Sequence, residues 1–236
     1  MVTNLSEVCR PRPGNLAAEP PSIVYVVDDD DSVRDSLEWL IRRAGWRPTS
    51  FASAAEFLNY PRRPLPSCLL LDLTLPDLNG LDVQEMLADQ VGMPIIFISG
   101  YGDVPTTVRA MKAGAIEFLL KPFRDEELLR AIPRALQMSK AALREQARLE
   151  SLRDRYASLS PRERQVLQRI VSGCLSKQVA GDLGIAENTV KAHRSNLMRK
   201  MGARSFVELV DMASRLRILT VPWGEDPQNR ASRRKR

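Results

Sequence analysis

The sequence predicts an α/β domain with a doubly wound, five-stranded parallel sheet, followed by an all-α domain of four helices. Five short apolar runs alternate with segments of helical periodicity in the first half of the chain, which is typical of parallel sheets covered on both faces. Residues 1–140 carry 15 Lys and Arg against 19 Asp and Glu, whereas residues 141–236 carry 20 against 10. An acidic half is therefore joined to a basic half, and a polyanion such as nucleic acid is the expected partner of the basic half.

The predicted strands are apolar runs that end in a turn or at a polar residue. They lie at Ile23 to Val27, Arg47 to Phe51, Cys68 to Leu71, Pro94 to Ile98 and Ala115 to Leu120. Helices are expected up to Gly45, around Phe57, from Leu81 to Gln90, from Val104 to Lys112 and from Asp125 onward. The carboxyl ends of parallel strands meet in one crevice, where such proteins bind ligands. The polar residues delivered there are Asp28, Asp29, Asp72, Ser99 and Lys121.

The three carboxylates of this set indicate a cation site. Carboxylates that lie together without a partner raise one another's pKa, and Mg²⁺ is a cation that prefers such hard oxygen ligands. Asp72 is then able to act as a nucleophile toward a phosphoryl group, with Lys121 and the Ser99 hydroxyl contacting its oxygens. Asp30 and Asp31 are better explained as acids at the start of the next helix.

The basic half begins with a helix whose start is marked by Ser160, Pro161 and Glu163, a capping box with proline in the first helical position. Three more helices are expected over Ser176 to Leu183, Asn188 to Met201 and Phe206 to Leu216. Two short helices joined by a tight turn at Gly184, the second of them basic, indicate a helix-turn-helix motif.

The second helix of this motif is predicted to enter the major groove of DNA. Val190, Leu197 and Met201 share its inner face. The side chains left facing outward, which can read bases or neutralise phosphates, are Lys191, Arg194, Ser195 and Arg199. His193 is expected at the edge of the core or on a phosphate.

The remaining composition favours a cytoplasmic protein. The cysteines form neither a disulfide-like nor a zinc-like pattern; they are Cys9, Cys68 and Cys174. No apolar run approaches the roughly 18 residues of a membrane span, and residues 1–21 lack the hydrophobic segment of a signal peptide. Residues 1–21 are expected to form a disordered leader, and residues 219–236 a basic tail.

The motifs VVDDDD, LLLDLTLPDLNG, IIFISGYGD and FLLKPF resemble the flavodoxin-like receiver domain of two-component response regulators over residues 22–137. The resemblance implies that a sensor histidine kinase phosphorylates Asp72. The implied Mg²⁺ ligands are Asp28 through water, Asp29, Asp72 and the backbone carbonyl of Thr74. The implied switch residues are Ser99, Phe118 and Lys121, although Phe118 could equally be a core residue.

The basic half, SPRERQVLQRIVSGCLSKQVAGDLGIAENTVKAHRSNLMRKMGARS, resembles the LuxR-type helix-turn-helix of NarL/FixJ regulators over about residues 156–217. The whole chain is most similar to the FixJ subgroup, which implies an activator of transcription that acts on RNA polymerase and forms a homodimer when phosphorylated. The implied boundaries are a helical linker at 138–157 and a DNA-binding domain at 158–218. The expected DNA-contacting residues are Ser176, Lys177, Asn188, Thr189, Lys191, Ala192, Arg194, Ser195 and Arg199.

Two residues depart from a simple reading of these domains. Ala186 stands where the family usually has a Ser or Thr as N-cap of the recognition helix, and losing that cap should cost about 0.5–2 kcal/mol of helix stability. Pro133 falls inside the last helix of the first domain, where its ring should kink the helix.

Other functions stay open at this point. A phosphohydrolase could use an acyl phosphate on Asp72, although Thr74 stands where such enzymes carry a second acid. A DNA-binding protein with a silent receiver would show the same basic half. The basic surface could also be merely solvated, and the linker could form a dimeric coiled coil.

Overall fold

The structure is a computed structural model that describes residues 22–88, 90, 92–100 and 102–218. The leader and tail expected at residues 1–21 and 219–236 lie outside the described residues. The chain divides into two compact units, residues 1–143 and residues 144–236. In the described part of the chain, no helix is both long and apolar enough to cross a membrane.

The first unit is a five-stranded parallel sheet in the order β2-β1-β3-β4-β5. Its elements are β1 (Ile23–Val27), α1 (Asp31–Arg43), β2 (Arg47–Phe51), α2 (Ala54–Asn59), β3 (Ser67–Asp72), α3 (Gly80–Met86), β4 (Ile95–Ser99), α4 (Val104–Lys112) and β5 (Glu117–Leu120). Helix α5 (Asp125–Ala157) follows β5. The predicted doubly wound parallel sheet is confirmed.

Both faces of the sheet are buried, which explains why its inner strands are uninterrupted apolar runs. On one face Tyr25, Leu71 and Phe97 belong to one core cluster. On the other face Val26 and Ile98, with their neighbours, belong to a second cluster that α1 and α5 cover. The central strands are therefore held from both sides, and their carboxyl ends are fixed in position.

Two details differ from the sequence-based expectations. Helix α3 ends at Met86 and not at Gln90, because the amides of Ala88 and Gln90 bond three residues back, as in turns. Strand β5 starts at Glu117 and not at Ala115, after a turn in which Gly114 has a φ of +94°. Helix α5 runs through Pro133 as one continuous helix to Ala157, and the kink expected at this proline stays a prediction.

The second unit contains α6 (Pro161–Val171), α7 (Ser176–Leu183), α8 (Glu187–Met201) and α9 (Phe206–Arg215). The predicted capping box is confirmed, since the Ser160 hydroxyl accepts from the Glu163 amide and the Glu163 carboxylate accepts from the Ser160 amide. The core of this unit includes Leu167, Leu197 and, from the end of α5, Leu152. The last turns of α5 thus pack as part of the second unit.

Candidate functional site

The acidic residues meet where the strand order reverses, between β1 and β3. In a sheet of order 2-1-3-4-5 this is the switch point at which ligands bind. Val27 pairs with Leu71, so Asp28 and Asp72 leave the sheet side by side. Asp28 is 1% exposed and Asp72 7%, whereas Asp29 lies at the surface.

Lys121 joins the two buried carboxylates. Its Nζ donates to Asp28 Oδ2 and to Asp72 Oδ2, each at 2.7 Å. The backbone amide of Lys121 donates to the Ser99 carbonyl at 2.8 Å, which fixes the start of the lysine side chain at the end of β4. One ammonium group therefore links the ends of β1, β3 and β5.

These contacts shift the acidity of the groups involved. Burial raises the pKa of the Asp28 carboxyl above its ordinary value, and its hydrogen bond to Lys121 only partly opposes that effect. Burial alone would lower the pKa of the Lys121 ammonium. Its hydrogen bonds to Asp28 and Asp72 and their negative charges outweigh burial, so the pKa of Lys121 is raised. Lys121 is thus a permanent cation at neutral pH.

Backbone groups hold the carboxylates in place. The Thr74 amide donates to Asp72 Oδ1 and the Asp30 amide donates to Asp28 Oδ1, both at 3.0 Å. The Asp30 carboxylate caps α1 by accepting from the amides of Ser32 and Val33, as expected for an acid at a helix start. Asp28 and Asp30 of the DDDD run therefore have different structural roles.

Gly80 allows the turn after β3 to close against the site. A Cβ on this residue would lie 2.6 Å from the Asp72 carbonyl oxygen and 3.0 Å from Leu73 Cα. These are backbone atoms, so they have little freedom to move away. Asn79 caps the helix that follows, its side chain accepting from the Leu81 amide. The Asn-Gly pair therefore positions Asp72 as well as ending the turn.

The carboxylates form an acidic pocket suited to a divalent cation. One oxygen from each of Asp28, Asp29 and Asp72 can be chosen so that all three lie within 4.8 Å of one another. Clustered carboxylate oxygens with one open side are the donor set that Mg²⁺ accepts. Thr74, the remaining predicted ligand, lies beside them on the exposed turn after β3.

The two other predicted switch residues occupy neighbouring strands. Ser99 ends β4 and is fully buried. Phe118 lies on β5, paired with Phe97 of β4, and the two ring centres are 5.9 Å apart. Phe118 is only half-buried. Their roles as switch residues stay predictions.

In the second unit, α7 and α8 form the predicted helix-turn-helix. Gly184 closes α7 in the left-handed conformation, with a φ of +62°. Val190, Leu197 and Met201 are fully buried, as predicted for the inner face of α8. The predicted DNA-contacting side chains are exposed except Ser176, which is half-buried; the exposed ones are Lys177, Asn188, Thr189, Lys191, Ala192, Arg194, Ser195 and Arg199. His193 is half-buried at the edge of the inner face.

Helix α8 is anchored near its carboxyl end by an ion pair between the exposed Lys200 and the buried Glu163. Lys200 Nζ lies 2.7 Å from the Glu163 carboxylate, and Glu163 is 4% exposed. The hydrogen bond from Lys200 lowers the pKa of Glu163 below its ordinary value. At the other end, Ala186 is the N-cap and no side chain caps the helix, as the sequence indicated.

Sequence reasoning missed two groups that support these sites. Arg34 donates to the Asp28 carbonyl at 2.6 Å and pairs with Asp31, bracing the turn that presents the acids. Its only sequence signal is the three-residue spacing from Asp31. Lys200 has no local sequence signal, because its pairing with Glu163 depends on how α6 and α8 pack.

An acidic pocket bridged by a lysine in one unit, and an exposed basic recognition helix in the other, define a signal-receiving, DNA-binding regulator. Comparisons with known proteins agree. Residues 24–133 match the response regulator receiver domain, and residues 157–213 match the luxR family of bacterial regulatory proteins. The chain belongs to the two-component response regulators that combine a receiver with a LuxR-type DNA-binding domain.

Individual relatives span nearly the whole chain. Nodulation protein W of Bradyrhizobium diazoefficiens is 46% identical over 206 residues, covering 87% of this chain and 91% of that protein. Response regulator protein TodT of Pseudomonas putida is 46% identical over 198 residues, covering 83% and 87%. Transcriptional regulatory protein FixJ of B. diazoefficiens is 40% identical over 197 residues, covering 83% and 96%. The structure of response regulator StyR matches with a TM-score of 0.71 and 47% identity, covering 82% of this chain and 98% of that one.

Both family matches are to regulatory domains and FixJ is named a transcriptional regulatory protein, which favours a regulator over the phosphohydrolase alternative. The chain is accordingly a DNA-binding transcriptional regulator of a two-component system, as the sequence predicted.

Proposed function

We propose that Asp72 accepts a phosphoryl group from a sensor histidine kinase and that this modification raises the affinity of the second unit for promoter DNA. The observation that carries the proposal is the double contact of Lys121, whose Nζ lies 2.7 Å from both Asp28 and Asp72. A carboxylate held beside a fixed cation can receive a phosphoryl group whose negative charge that cation then offsets.

In the proposed transfer, an oxygen of the Asp72 carboxylate forms a bond to phosphorus. The bond between phosphorus and the histidine nitrogen of the kinase breaks, and that nitrogen keeps the electron pair. Asp28, Asp29, Asp72 and the Thr74 carbonyl would hold Mg²⁺, which supplies positive charge beside the phosphoryl oxygens when bound. Lys121 would exchange its contact with the Asp72 carboxylate for one with a phosphoryl oxygen.

The switch would then involve Ser99 and Phe118. The Ser99 hydroxyl would donate to a phosphoryl oxygen, and the Phe118 ring would turn into the space that opens behind it. Support comes from the half-buried state of Phe118 and from its position beside Phe97 on the neighbouring strand. An aromatic ring that is only half-buried can change rotamer at less cost than a fully buried one.

A homodimer is the proposed active form. Apolar side chains are exposed on the face that α4 and β5 form, and β5 is the strand that carries Phe118. The exposed side chains are Val104, Val108, Met111 and Leu120. A repacked Phe118 would change this face, and a second copy could cover it. Two recognition helices would then read half-sites about one helical turn, or roughly 34 Å, apart.

At DNA, the proposed base-reading residues are Lys191, Ala192 and Ser195. The proposed contacts near the DNA backbone are Ser176, Lys177, Thr189 and Arg194. Asn188 and Arg199 are proposed as further DNA contacts, to bases or phosphates. The guanidinium carbon of Arg194 lies 5.4 Å from the centre of the Phe206 ring. This contact limits the rotamers of Arg194 and so favours a single geometry for its contact with DNA. We propose that the bound dimer activates transcription by contacting RNA polymerase in the cytoplasm.

The test is the affinity of the full chain for a duplex selected from genomic DNA, measured with and without acetyl phosphate and Mg²⁺. Tighter binding after treatment, absent from Asp72→Asn, is expected. An affinity that acetyl phosphate does not change would overturn the proposal and leave a DNA-binding protein whose receiver is silent.

A further inference from the structure

We propose that Arg155 is a positioning residue for DNA recognition, which holds the carboxyl end of α8 without itself reading DNA. The inference rests on the proposed role of α8 as the recognition helix. Arg155 lies on the last turns of α5, in a segment that the sequence suggested to be a linker. Its contacts give this segment a role in setting the geometry of the DNA-binding unit.

The contact joins a cation to the negative end of a helix. Arg155 Nη1 donates to the carbonyl of Met201, the last residue of α8, at 3.1 Å. The final carbonyls of a helix have no partner within the helix, and the helix dipole places partial negative charge there. A guanidinium at this point satisfies a carbonyl and offsets that charge, so it holds the last turn in place.

The residue after the helix, Gly202, lies close to this contact. Gly202 has a φ of +71°, in the left-handed region that favours glycine. A Cβ on Gly202 would also lie 2.7 Å from Arg155 Nη1. Glycine here therefore serves both the turn and the approach of the guanidinium.

Arg155 is held on a segment that packs within the same unit. Leu152, one turn earlier, is buried in the core of this unit, and Tyr156 packs against that core. Further back, Glu145 pairs with Arg215 of α9 at 2.8 Å. The helix segment that carries the guanidinium is therefore held in place, as a positioning residue requires.

The two ends of the recognition helix are held differently. The carboxyl end has Arg155 on the Met201 carbonyl and the Lys200–Glu163 ion pair. The amino end begins at Ala186 with no side-chain cap. The proposed base-reading residues lie in the first nine of the fifteen residues of α8, so the anchored carboxyl end sets the direction in which they point. Loosening it should reduce discrimination between sequences more than it reduces general attraction to DNA.

The experiment compares Arg155→Met with Arg153→Met in the full chain. Arg153 is exposed on the same helix, so its replacement removes the same charge close by and serves as the matched control. Affinity is measured for a duplex selected by the wild-type protein and for a scrambled duplex of equal length. Hydrogen exchange of the α6 and α8 amides reports, separately, whether the unit is folded.

Relative to Arg153→Met, Arg155→Met is expected to weaken binding to the selected duplex about two- to fivefold, with no further loss on the scrambled duplex. Exchange should speed up in the last turn of α8 and stay unchanged in α6, and Arg155→Lys should recover part of the affinity.

Equal effects of the two variants on both duplexes, or an equal extra loss on both, would overturn the inference. The first result would leave Arg155 with no specific role, and the second would make it a phosphate contact. All affinities are measured after treatment with acetyl phosphate and Mg²⁺. Failure of the treated wild-type protein to bind any genomic duplex is a different result, which would overturn the proposed function itself.

Discussion

Lys121 and Asp72 form an ion pair, with Nζ 2.7 Å from Oδ2, between the ends of β5 and β3. The same Nζ also binds Asp28, so one cation compensates two carboxylates that are almost fully buried. Any cation that reaches this pocket therefore competes with Lys121 or adds to it.

The first prediction follows from that competition. Lys121→Met should lower the free energy of unfolding of the first unit by about 1–3 kcal/mol without divalent cations, because two buried acceptors lose their donor. Adding Mg²⁺ should shrink the difference, since the ion then supplies the missing charge. Denaturant titration followed by tryptophan fluorescence, to which Trp46 beside the core of this unit contributes, measures the free energy of unfolding with and without Mg²⁺. Lys112→Met, at an exposed position on α4, is the control, and a loss independent of Mg²⁺ would contradict the account.

A second prediction concerns Gly80. Replacing it with alanine places a Cβ 2.6 Å from the Asp72 carbonyl oxygen, so strand β3 or helix α3 must shift. We expect a loss of about 1–3 kcal/mol in stability and slower phosphorylation, measured with acetyl phosphate. At Gly100 a Cβ would meet nothing within 4 Å, so Gly100→Ala should leave stability nearly unchanged. Equal behaviour of the two variants would show that the close approach at Gly80 has no consequence.

The third prediction tests the uncapped start of α8. Ala186→Ser supplies an oxygen that can accept from the free amides of the first turn, and should stabilise the second unit by about 0.5–2 kcal/mol. Hydrogen exchange of amides in α8 measures the gain. Ala192→Ser, on the exposed face within the same helix, adds the same hydroxyl away from the helix end. If it stabilises the unit as much as Ala186→Ser does, capping is not the cause.

A fourth prediction uses pH. The pKa of Glu163 is lowered in the folded protein by its hydrogen bond from Lys200. Its contribution to stability is therefore complete above the ordinary carboxyl value of 4.5 and is lost as pH falls below it through the folded pKa. Glu163→Gln should have a lower free energy of unfolding than the wild type at pH 7, and this difference should become smaller in acid. Exchange rates of α6 and α8 amides at pH 7 and pH 4 measure this, and a constant gap would contradict it.

Much of the fold could be predicted because the local sequence patterns agree with the burial that the folded structure requires. The strand Arg47–Phe51 and the helix Val104–Lys112 have the predicted bounds, since turn residues or caps mark their ends. The contact of Lys121 with Asp72, 49 residues apart, followed from the rule that parallel strands end at one edge. Helix α3 was predicted too long because its last turn is set by backbone hydrogen bonds that no side chain signals.

Other contacts could not be predicted because they depend on packing between helices. The capping box fully accounted for Glu163 in the sequence, so nothing pointed to its second partner, Lys200. Arg155 lies among several charged residues of the predicted linker helix, and no local pattern distinguishes it from them. Its contact with the Met201 carbonyl exists only because Leu152 and Tyr156 bring that face of α5 onto the core of the second unit.

The most direct test of the central claim is covalent phosphate on Asp72. The purified full chain is incubated with acetyl phosphate and Mg²⁺ and compared with Asp72→Asn and with Asp82→Asn, which changes an exposed acid at the start of α3, on the same phosphate-affinity gel. The account predicts a shifted, hydroxylamine-sensitive band in the wild type and in Asp82→Asn, and none in Asp72→Asn. A shift that persists in Asp72→Asn, or no shift in any of the three, would contradict it.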